Sequence, residues 1–203
     1  SVRYHMRCNC DYEEFWTLDD GECLLRQYDY KAFRYVCLEM EEGVELLELS
    51  GSIRHFPMDD ALCTLETSDK VLKSVFELCK NGVKCGSQEV YVDCPSREKG
   101  QYAGDMTITT ISQLYLSGDP YLYRKALENQ MQSAFVCDGL LTVTPGSLMQ
   151  EIADYSFQFP MIALRYYQHS HDKEFLLRTL EVSDKMLSYF RRRYARPDGL
   201  LEQ

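Results

Sequence analysis

The chain has 203 residues, of which 45% are apolar, enough for one domain or for one domain with part of another. Its formal net charge of −10 argues against nucleic acid or an anionic membrane surface as a partner, because both would be repelled. No apolar run approaches the roughly 18 residues of a membrane-spanning helix, so no membrane span is predicted.

Cysteine usage bears on the cellular compartment and on metal binding. The nine cysteines have an odd count and loose spacing, which are not typical of a disulfide framework. The closest pair, Cys8 and Cys10, has no partner pair that would complete a zinc site, and no glycine-rich phosphate loop is present, so neither metal nor cofactor is predicted. No signal segment follows Ser1, and reduced, buried cysteines predict a cytoplasmic protein.

Residues 1–60 carry strand-like alternation, which is clearest over residues 31–39, where Phe33, Tyr35 and Cys37 share one face. Two shorter alternating stretches follow before a proline ends the pattern. A few strands in about 60 residues cannot bury a sheet by themselves. We therefore expect this segment to be the last part of a larger β-domain.

From about residue 67 the periodicity becomes helical, and five helices are predicted. The first helix is expected to begin after a cap at residues 67–69 and to stop at Asn81-Gly82, and the second to run from Gly104 to Gly118. The third is expected from Asp119-Pro120 to Asp138-Gly139, the fourth from Leu148 to His169 with Pro160 inside, and the fifth from Asp172 to Tyr194. The residues expected to pack inward are Val71, Leu72, Val75, Phe76 and Cys79 on the first helix and Phe175, Leu176, Leu180, Met186, Leu187 and Phe190 on the fifth. Consecutive helices with short links fit a hairpin array, as in a bundle, a solenoid or an (α/α) barrel, and the lack of a fixed repeat disfavours the solenoid.

The loop between the first two helices, residues 91–105, is dense in polar residues. Three carboxylates, Asp93, Glu98 and Asp105, lie within thirteen positions. Such groups bind sugar hydroxyls as charged acceptors, and crowded like charges can keep one carboxylic acid protonated so that it protonates a leaving oxygen. A solvated loop whose acids pair with Arg97, Lys99 and a helix N-terminus would have the same composition, so composition leaves both interpretations open.

The pattern Asp-Cys-Pro-x-Arg-Glu…Gly-Asp, from Asp93 to Asp105, resembles the signature of the family 78 α-L-rhamnosidases. Further segments that resemble this family are Trp16-Thr17-Leu18 and residues 30–36, similar to the end of its β-sandwich region, and Asp138-Gly139 and residues 152–156, similar to later barrel segments. The resemblance implies a mainly α fold: the C-terminal part of a β-sandwich domain over residues 1–60, then the first helices of an (α/α)6, six-hairpin glycosidase barrel over residues 61–203.

The same resemblance implies hydrolysis of terminal non-reducing α-L-rhamnosyl residues, with inversion, from an L-rhamnose-containing glycoside or oligosaccharide. Glu98 takes the position of the general acid. The positions that would bind the substrate are Asp93, Arg97, Tyr102, Asp105 and Asp154. Tyr102 stands where the family often has tryptophan, and it still offers an aromatic face to a sugar.

An inverting hydrolase needs a second carboxylate about 6.5–9.5 Å from the first, which activates the attacking water. In the family this glutamate lies on a later barrel segment, and its motif is not found in this sequence. Five helices also fall short of a complete (α/α)6 barrel. We therefore expect a fragment from which the rest of the barrel is missing and which does not turn over alone.

Two other functions stay open. One is a non-catalytic carbohydrate-binding or scaffold module that keeps the sugar pocket. The other is an (α/α)-barrel glycosidase for a different sugar, since fold does not determine substrate. Among the remaining side chains, His169 and His171 are better explained by a solvated turn than by metal binding. Core or rim packing explains four tyrosines better than a sugar cleft does: Tyr121, Tyr123, Tyr166 and Tyr167.

Overall fold

The computed structural model describes residue 5 and residues 11–136, 139–146 and 152–202. The chain divides into two compact units. The first comprises Ser1–Ser52 with Cys94–Lys99, and the second comprises Ile53–Asp93 with Gly100–Gln203. This division is not the boundary expected near residue 60, and the assignment of a β-sandwich part and a barrel part stays a prediction.

The described part of the second unit contains five α-helices, which confirms the predicted helical succession. They are α1 (Lys70–Gly86), α2 (Ala103–Ser117), α3 (Tyr121–Gln132), α4 (Ala153–Ser170) and α5 (Lys173–Tyr194), with a 3₁₀ turn at Ser133–Phe135. Helix α4 packs against α2, α3 and α5, and α1 packs against α2. Local signals explain the starts of α1 and α5. The Asp69 side chain accepts hydrogen bonds from two backbone N–H groups of the first turn of α1, and the Asp172 side chain accepts one in α5.

Helix α1 departs from its prediction in two ways. It continues through Asn81-Gly82 to Gly86, because these two residues cost a helix only about 1 kcal/mol each and do not stop it. Its expected inward face is largely exposed, with Val71 and Leu72 at 72% and 50%, and only Phe76 of that face is half-buried. The buried side chain is Lys80, whose ammonium donates to the Cys63 carbonyl at 2.8 Å and to the Asp60 carbonyl.

The core of the second unit lies between α2, α3, α4 and the start of α5. Tyr123 is fully buried, donates its hydroxyl to the Ile162 carbonyl at 2.9 Å and packs edge-on against Tyr166, which confirms the packing interpretation for these two tyrosines. Tyr167 is half-buried, whereas Tyr121 is 74% exposed and does not belong to the core. On α5 the expected Phe175, Met186 and Phe190 are buried. Of the three leucines of the predicted face, Leu176 is half-buried, whereas Leu180 and Leu187 are 47% and 52% exposed, so the inward assignment of these two was wrong.

Helix α4 contains Pro160 within its span and is capped at its C-terminus by His171, whose φ of 56° is left-handed. His169 and His171 are exposed at this helix end, in agreement with the turn interpretation. The expected start of this helix at Leu148, the Asp138 position, and Cys8 and Cys10 lie outside the described residues. No helix within the described ranges is long and apolar enough to cross a membrane.

The predicted N-terminal β segment is not supported. Among the described residues up to 60 there is no β-strand, and the backbone pairing recorded there is one isolated bridge between His5 and Asp11. A strand is stable only when a neighbouring strand takes up its backbone hydrogen bonds, and alternation alone does not supply that neighbour. Phe33 and Tyr35, predicted to share a buried face, are 65% and 75% exposed.

Candidate active site

The predicted site residues are distributed over both units. Arg97 and Glu98 belong to the first unit, and Asp93, Tyr102, Asp105 and Asp154 belong to the second.

In the second unit, burial and hydrogen bonds fix the residues just before the motif. Tyr91 is buried and donates its hydroxyl to Gln113 Oε1 at 2.7 Å. Burial raises the pKa of the Tyr91 phenol, so this group stays a neutral donor. The Val92 N–H donates to the Gly86 carbonyl at 2.9 Å, which ties the strand-like residues before Asp93 to the end of α1. The backbone at Asp93 therefore leaves the core in a defined direction.

Asp93 and Gly100 are joined by two hydrogen bonds. The Asp93 N–H donates to the Gly100 carbonyl at 2.9 Å, and the Gly100 N–H donates to Asp93 Oδ1 at 2.9 Å. A Cβ on Gly100 would lie 2.9 Å from Tyr102 Cε2 and 3.2 Å from Thr144 Oγ1, so glycine allows this close packing. The Asp93 carboxylate thus orients the motif backbone, a role that the sequence did not indicate.

Tyr102 and Asp105 lie at the start of α2. Tyr102 occupies the N-cap position and is half-buried, and the next N–H, of Ala103, donates to the Val143 carbonyl at 3.1 Å. Asp105 lies in the first turn and is exposed. Partial burial of its carboxyl, and next the charge of Asp93, raise the pKa of Asp105. A carboxyl group with weakened hydration suits hydrogen bonding to a ligand.

Asp154 lies in the first turn of α4 and is exposed. The next residue, Tyr155, places its ring directly over Gly104 of α2, where an added Cβ would lie 2.6 Å from ring atoms Cε1 and Cζ. Ser156 is buried, and its hydroxyl bonds the Leu141 backbone N–H and carbonyl at 3.3 and 3.2 Å. The contact of Tyr155 with Gly104 brings the first turns of α2 and α4 together, so each presents an aspartate at the same end of the helix pair.

Sequence reasoning missed the buried polar residues that support this end of the unit. Gln101 donates to the Ala126 carbonyl at 3.0 Å, and Gln130 donates to the Thr142 carbonyl. The Thr142 N–H donates to the Ser133 hydroxyl at 3.1 Å. A buried glutamine or serine gives no sequence signal of such a role, because its backbone partner comes from a separate segment.

In the first unit, both carboxylate oxygens of Glu98 have partners. Arg97 Nη2 pairs with Oε1, and the Cys94 thiol lies 3.3 Å from Oε2. The Glu98 N–H also approaches the Cys94 sulfur, at 3.4 Å. The Glu98 side chain keeps 29% exposure, so it stays open to solvent. Cys94, like the other described cysteines, is a free thiol. None of these described cysteines is buried, so the expectation of buried cysteines was wrong.

Lys99, which sequence reasoning treated only as a nearby cation, also belongs to the first unit. Its ammonium donates to Asp29 Oδ1 at 2.9 Å and to the Tyr30 carbonyl at 2.7 Å, and lies 4.3 Å from the centre of the Tyr30 ring. The hydrogen bond from Lys99 lowers the pKa of Asp29. The Lys99 φ angle of 52° lies in the left-handed region, an unusual conformation for lysine.

A cavity of about 330 Å³ lies elsewhere in the second unit. It is lined by residues 55–57, Gln88, Glu89 and the first turns of α3, including Tyr121 and Lys125. None of the predicted site residues lines it. The cavity therefore does not support the predicted assignment of sugar-binding residues.

Two solved structures are similar to this chain. The GH78 family rhamnosidase of Bacillus sp. GL1, a crystal structure at 1.9 Å, matches with a TM-score of 0.68 and 20% identity, over 73% of this chain and 15% of that one. The rhamnosidase from Klebsiella oxytoca with rhamnose bound matches with a TM-score of 0.57 and 18% identity, over 67% of this chain and 27% of that one. At these identities the likeness shows the fold, and the match spans only a small part of each of those proteins. A search of curated proteins found no match.

The family model described as the bacterial alpha-L-rhamnosidase 6 hairpin glycosidase domain matches residues 60–202. The matched region is well over half of the chain and includes all of helices α1–α5 and the motif from Asp93 to Asp105. The mainly helical, six-hairpin fold class and the resemblance to family 78 rhamnosidases are thereby confirmed. The chain therefore belongs to the bacterial α-L-rhamnosidase six-hairpin glycosidases, a family of glycoside hydrolases.

Proposed function

We propose that this chain carries the acid half of an inverting α-L-rhamnosidase site. The observation that carries the proposal is the family match over residues 60–202, which spans the entire Asp-Cys-Pro-x-Arg-Glu…Gly-Asp motif. The similar Klebsiella oxytoca structure was solved with rhamnose bound, which supports a rhamnose-containing substrate. The proposed substrate-binding residues are Asp93, Arg97, Tyr102, Asp105 and Asp154.

Glu98 is the proposed general acid. As the bond between the anomeric carbon and the glycosidic oxygen breaks, Glu98 transfers its proton to that oxygen, and the aglycone leaves as an alcohol. Water attacks the anomeric carbon from the opposite face of the sugar while a second carboxylate takes its proton, so the first product is β-L-rhamnose. The solvent-accessible Glu98 side chain supports this role, because a general acid must reach the substrate.

The second carboxylate is proposed to come from a segment outside this sequence. The motif that carries it in the family has no match here, so the 203-residue chain alone is proposed to be inactive. The non-catalytic binding module remains the alternative, and it would retain the rhamnose pocket without hydrolysis.

Hydrolysis of aryl glycosides by the complete gene product that contains this chain tests the proposal. We expect release of the aryl alcohol from an α-L-rhamnoside, and proton NMR should show the β anomer of rhamnose before mutarotation. The α anomer appearing first would exclude inversion. Activity only on another aryl glycoside would favour a glycosidase for a different sugar. Rhamnose binding measured by calorimetry, without hydrolysis of any substrate, would favour the binding module.

We also propose a cytoplasmic location. Support comes from the described cysteines, all of which are free, as is typical of a reducing compartment. Cell fractionation with an antibody against the chain tests this, and recovery of the protein outside the cytoplasm would contradict it.

A further inference from the structure

We infer that Lys99 is a positioning residue for Glu98, and that it acts by clamping the segment 94–99 onto Asp29 and Tyr30. The inference rests on the proposed role of Glu98 as the acid. The Lys99 ammonium has three partners: Asp29 Oδ1 at 2.9 Å, the Tyr30 carbonyl at 2.7 Å and the Tyr30 ring at 4.3 Å from its centre. The Lys99 side chain is only 23% exposed, so these contacts replace much of its hydration.

The backbone at Lys99 shows that the clamp holds the chain in a specific shape. A φ angle of 52° is left-handed, and a residue other than glycine stays in that region only where its surroundings hold it there. Lys99 directly follows Glu98, so its backbone conformation determines how Glu98 is presented. Release of the ammonium would let this bond rotate to an ordinary conformation and carry the acid with it.

Within the segment, Glu98 is secured at the side-chain level as well. Cys94 and Arg97 contact its two carboxylate oxygens, and both belong to the same segment 94–99 as Glu98. Those contacts orient Glu98 relative to its own segment, whereas Lys99 ties that segment to residues 29 and 30. Because a displacement of about 1 Å can lower a rate by about 100-fold, the clamp matters for proton transfer.

The clamp has a consequence for the organisation of the protein. Asp29 and Tyr30 precede the region matched by the family model, which begins at residue 60. Residues outside the matched domain thus hold the proposed acid in place. Removing them should harm catalysis, even though the substrate-binding residues of α2 and α4 would be retained.

The test uses two lysine variants and a control in the complete gene product. Lys99→Asn removes the ammonium but keeps a residue that tolerates a positive φ, and Lys99→Arg keeps a cation. Lys73→Asn alters an exposed lysine in α1 and serves as the control. Each variant is assayed on 2,4-dinitrophenyl and methyl α-L-rhamnosides. The first leaving group needs little protonation and the second needs full assistance from the acid.

We expect Lys99→Asn to lower kcat on the methyl glycoside by about 100-fold and on the dinitrophenyl glycoside by less than about fivefold. Lys99→Arg should recover most of the difference, and the control should behave as wild type. Equal losses on both substrates would indicate a general structural defect and would overturn the inference. Wild-type kcat values of Lys99→Asn on both substrates would also overturn the inference.

A second measurement judges the clamp without catalysis. The rate at which iodoacetamide alkylates Cys94, followed by peptide mass spectrometry, should rise in Lys99→Asn by about tenfold as the segment loosens. The exposed Cys23 and Cys79 act as internal references. An unchanged Cys94 alkylation rate in Lys99→Asn would overturn the clamp.

The proposed acid role and the clamp can fail separately. If Glu98→Gln hydrolyses each substrate as fast as wild type does, the proposed acid role fails. The alkylation result then still decides whether Lys99 anchors the segment.

Discussion

Replacement of Gly104 by alanine tests the contact that joins the first turns of α2 and α4. The added methyl carbon would lie 2.6 Å from Cε1 and Cζ of Tyr155. Ordinary carbon contacts are about 3.5–4.0 Å, so the ring must move by about 1 Å. Overpacking of this kind costs about 1–3 kcal/mol, while alanine in a helix regains up to about 1 kcal/mol over glycine. The net expectation is a loss of about 1–2 kcal/mol in the free energy of unfolding.

Gly82→Ala is the matched control. Gly82 lies inside α1, and a Cβ there would have no heavy atom within 4 Å. This variant should gain about 0.5–1 kcal/mol, because only the helix preference of alanine acts on it. The two glycine substitutions are therefore expected to have opposite signs.

Urea denaturation of wild type and both variants, followed by far-ultraviolet circular dichroism, measures these effects. Tyr155→Leu in the Gly104→Ala background removes the clashing ring atoms and should restore at least about 0.5 kcal/mol beyond additivity. A stabilising Gly104→Ala, similar to the control, would refute the close approach of Tyr155 to α2. Additive single and double variants would also count against it.

Three further outcomes follow from the structure. Gly139→Ala should cost about 2–4 kcal/mol in urea denaturation, since Gly139 has a φ of 84° and its Cβ would lie 2.5 Å from Tyr189 Cβ. Tyr91→Phe should cost about 1–2 kcal/mol because it leaves Gln113 without its donor, and an unchanged midpoint would contradict the buried hydrogen bond. Asp105→Asn should raise thermal stability at pH 7, because burial and Asp93 raise the carboxyl pKa in the folded state. That gain should fade as the pH drops through the folded pKa towards the unfolded value of about 3.9, where both side chains are neutral; a gain that persisted at low pH would contradict it.

Local signals explain how much of the helical fold could be predicted. The caps Asp69 and Asp172 and the Asp119-Pro120 start all act within three or four residues, so the sequence alone carries them. Packing depends on distant partners. The periodicity of α1 correctly predicted a helix, but no described element covers its residues Val71 and Leu72. Periodicity indicates which side chains share a face, and it does not indicate whether another element packs against that face.

The N-terminal segment shows the same limit more strongly. Alternation at Phe33 and Tyr35 predicts which side chains would face a second sheet, but a strand also needs hydrogen-bonding neighbours. The described residues of this segment do not provide them. The strand prediction therefore failed at the step from local pattern to tertiary pairing.

The candidate site was identified by resemblance, since composition could not separate a catalytic loop from a solvated one. The structure contains both kinds of contact. Glu98 pairs with Arg97, as a solvated loop would allow, while Asp93 bonds the Gly100 backbone and shapes the motif. The supporting roles of Cys94 and Lys99 depend on backbone shape and on contacts up to 70 positions apart in sequence, which a motif pattern does not encode.

The most direct test of the central claim is hydrolysis of phenyl α-L-rhamnoside by the complete gene product, with Glu98→Gln and Glu77→Gln alongside. Glutamine cannot donate the proton that the leaving oxygen needs, and removal of a general acid lowers kcat by about 100- to 10,000-fold. We expect that loss for Glu98→Gln, while Glu77→Gln, an exposed change in α1, should retain wild-type activity. Full activity in Glu98→Gln would contradict its role as the acid, and no hydrolysis by the wild type would contradict the enzyme itself.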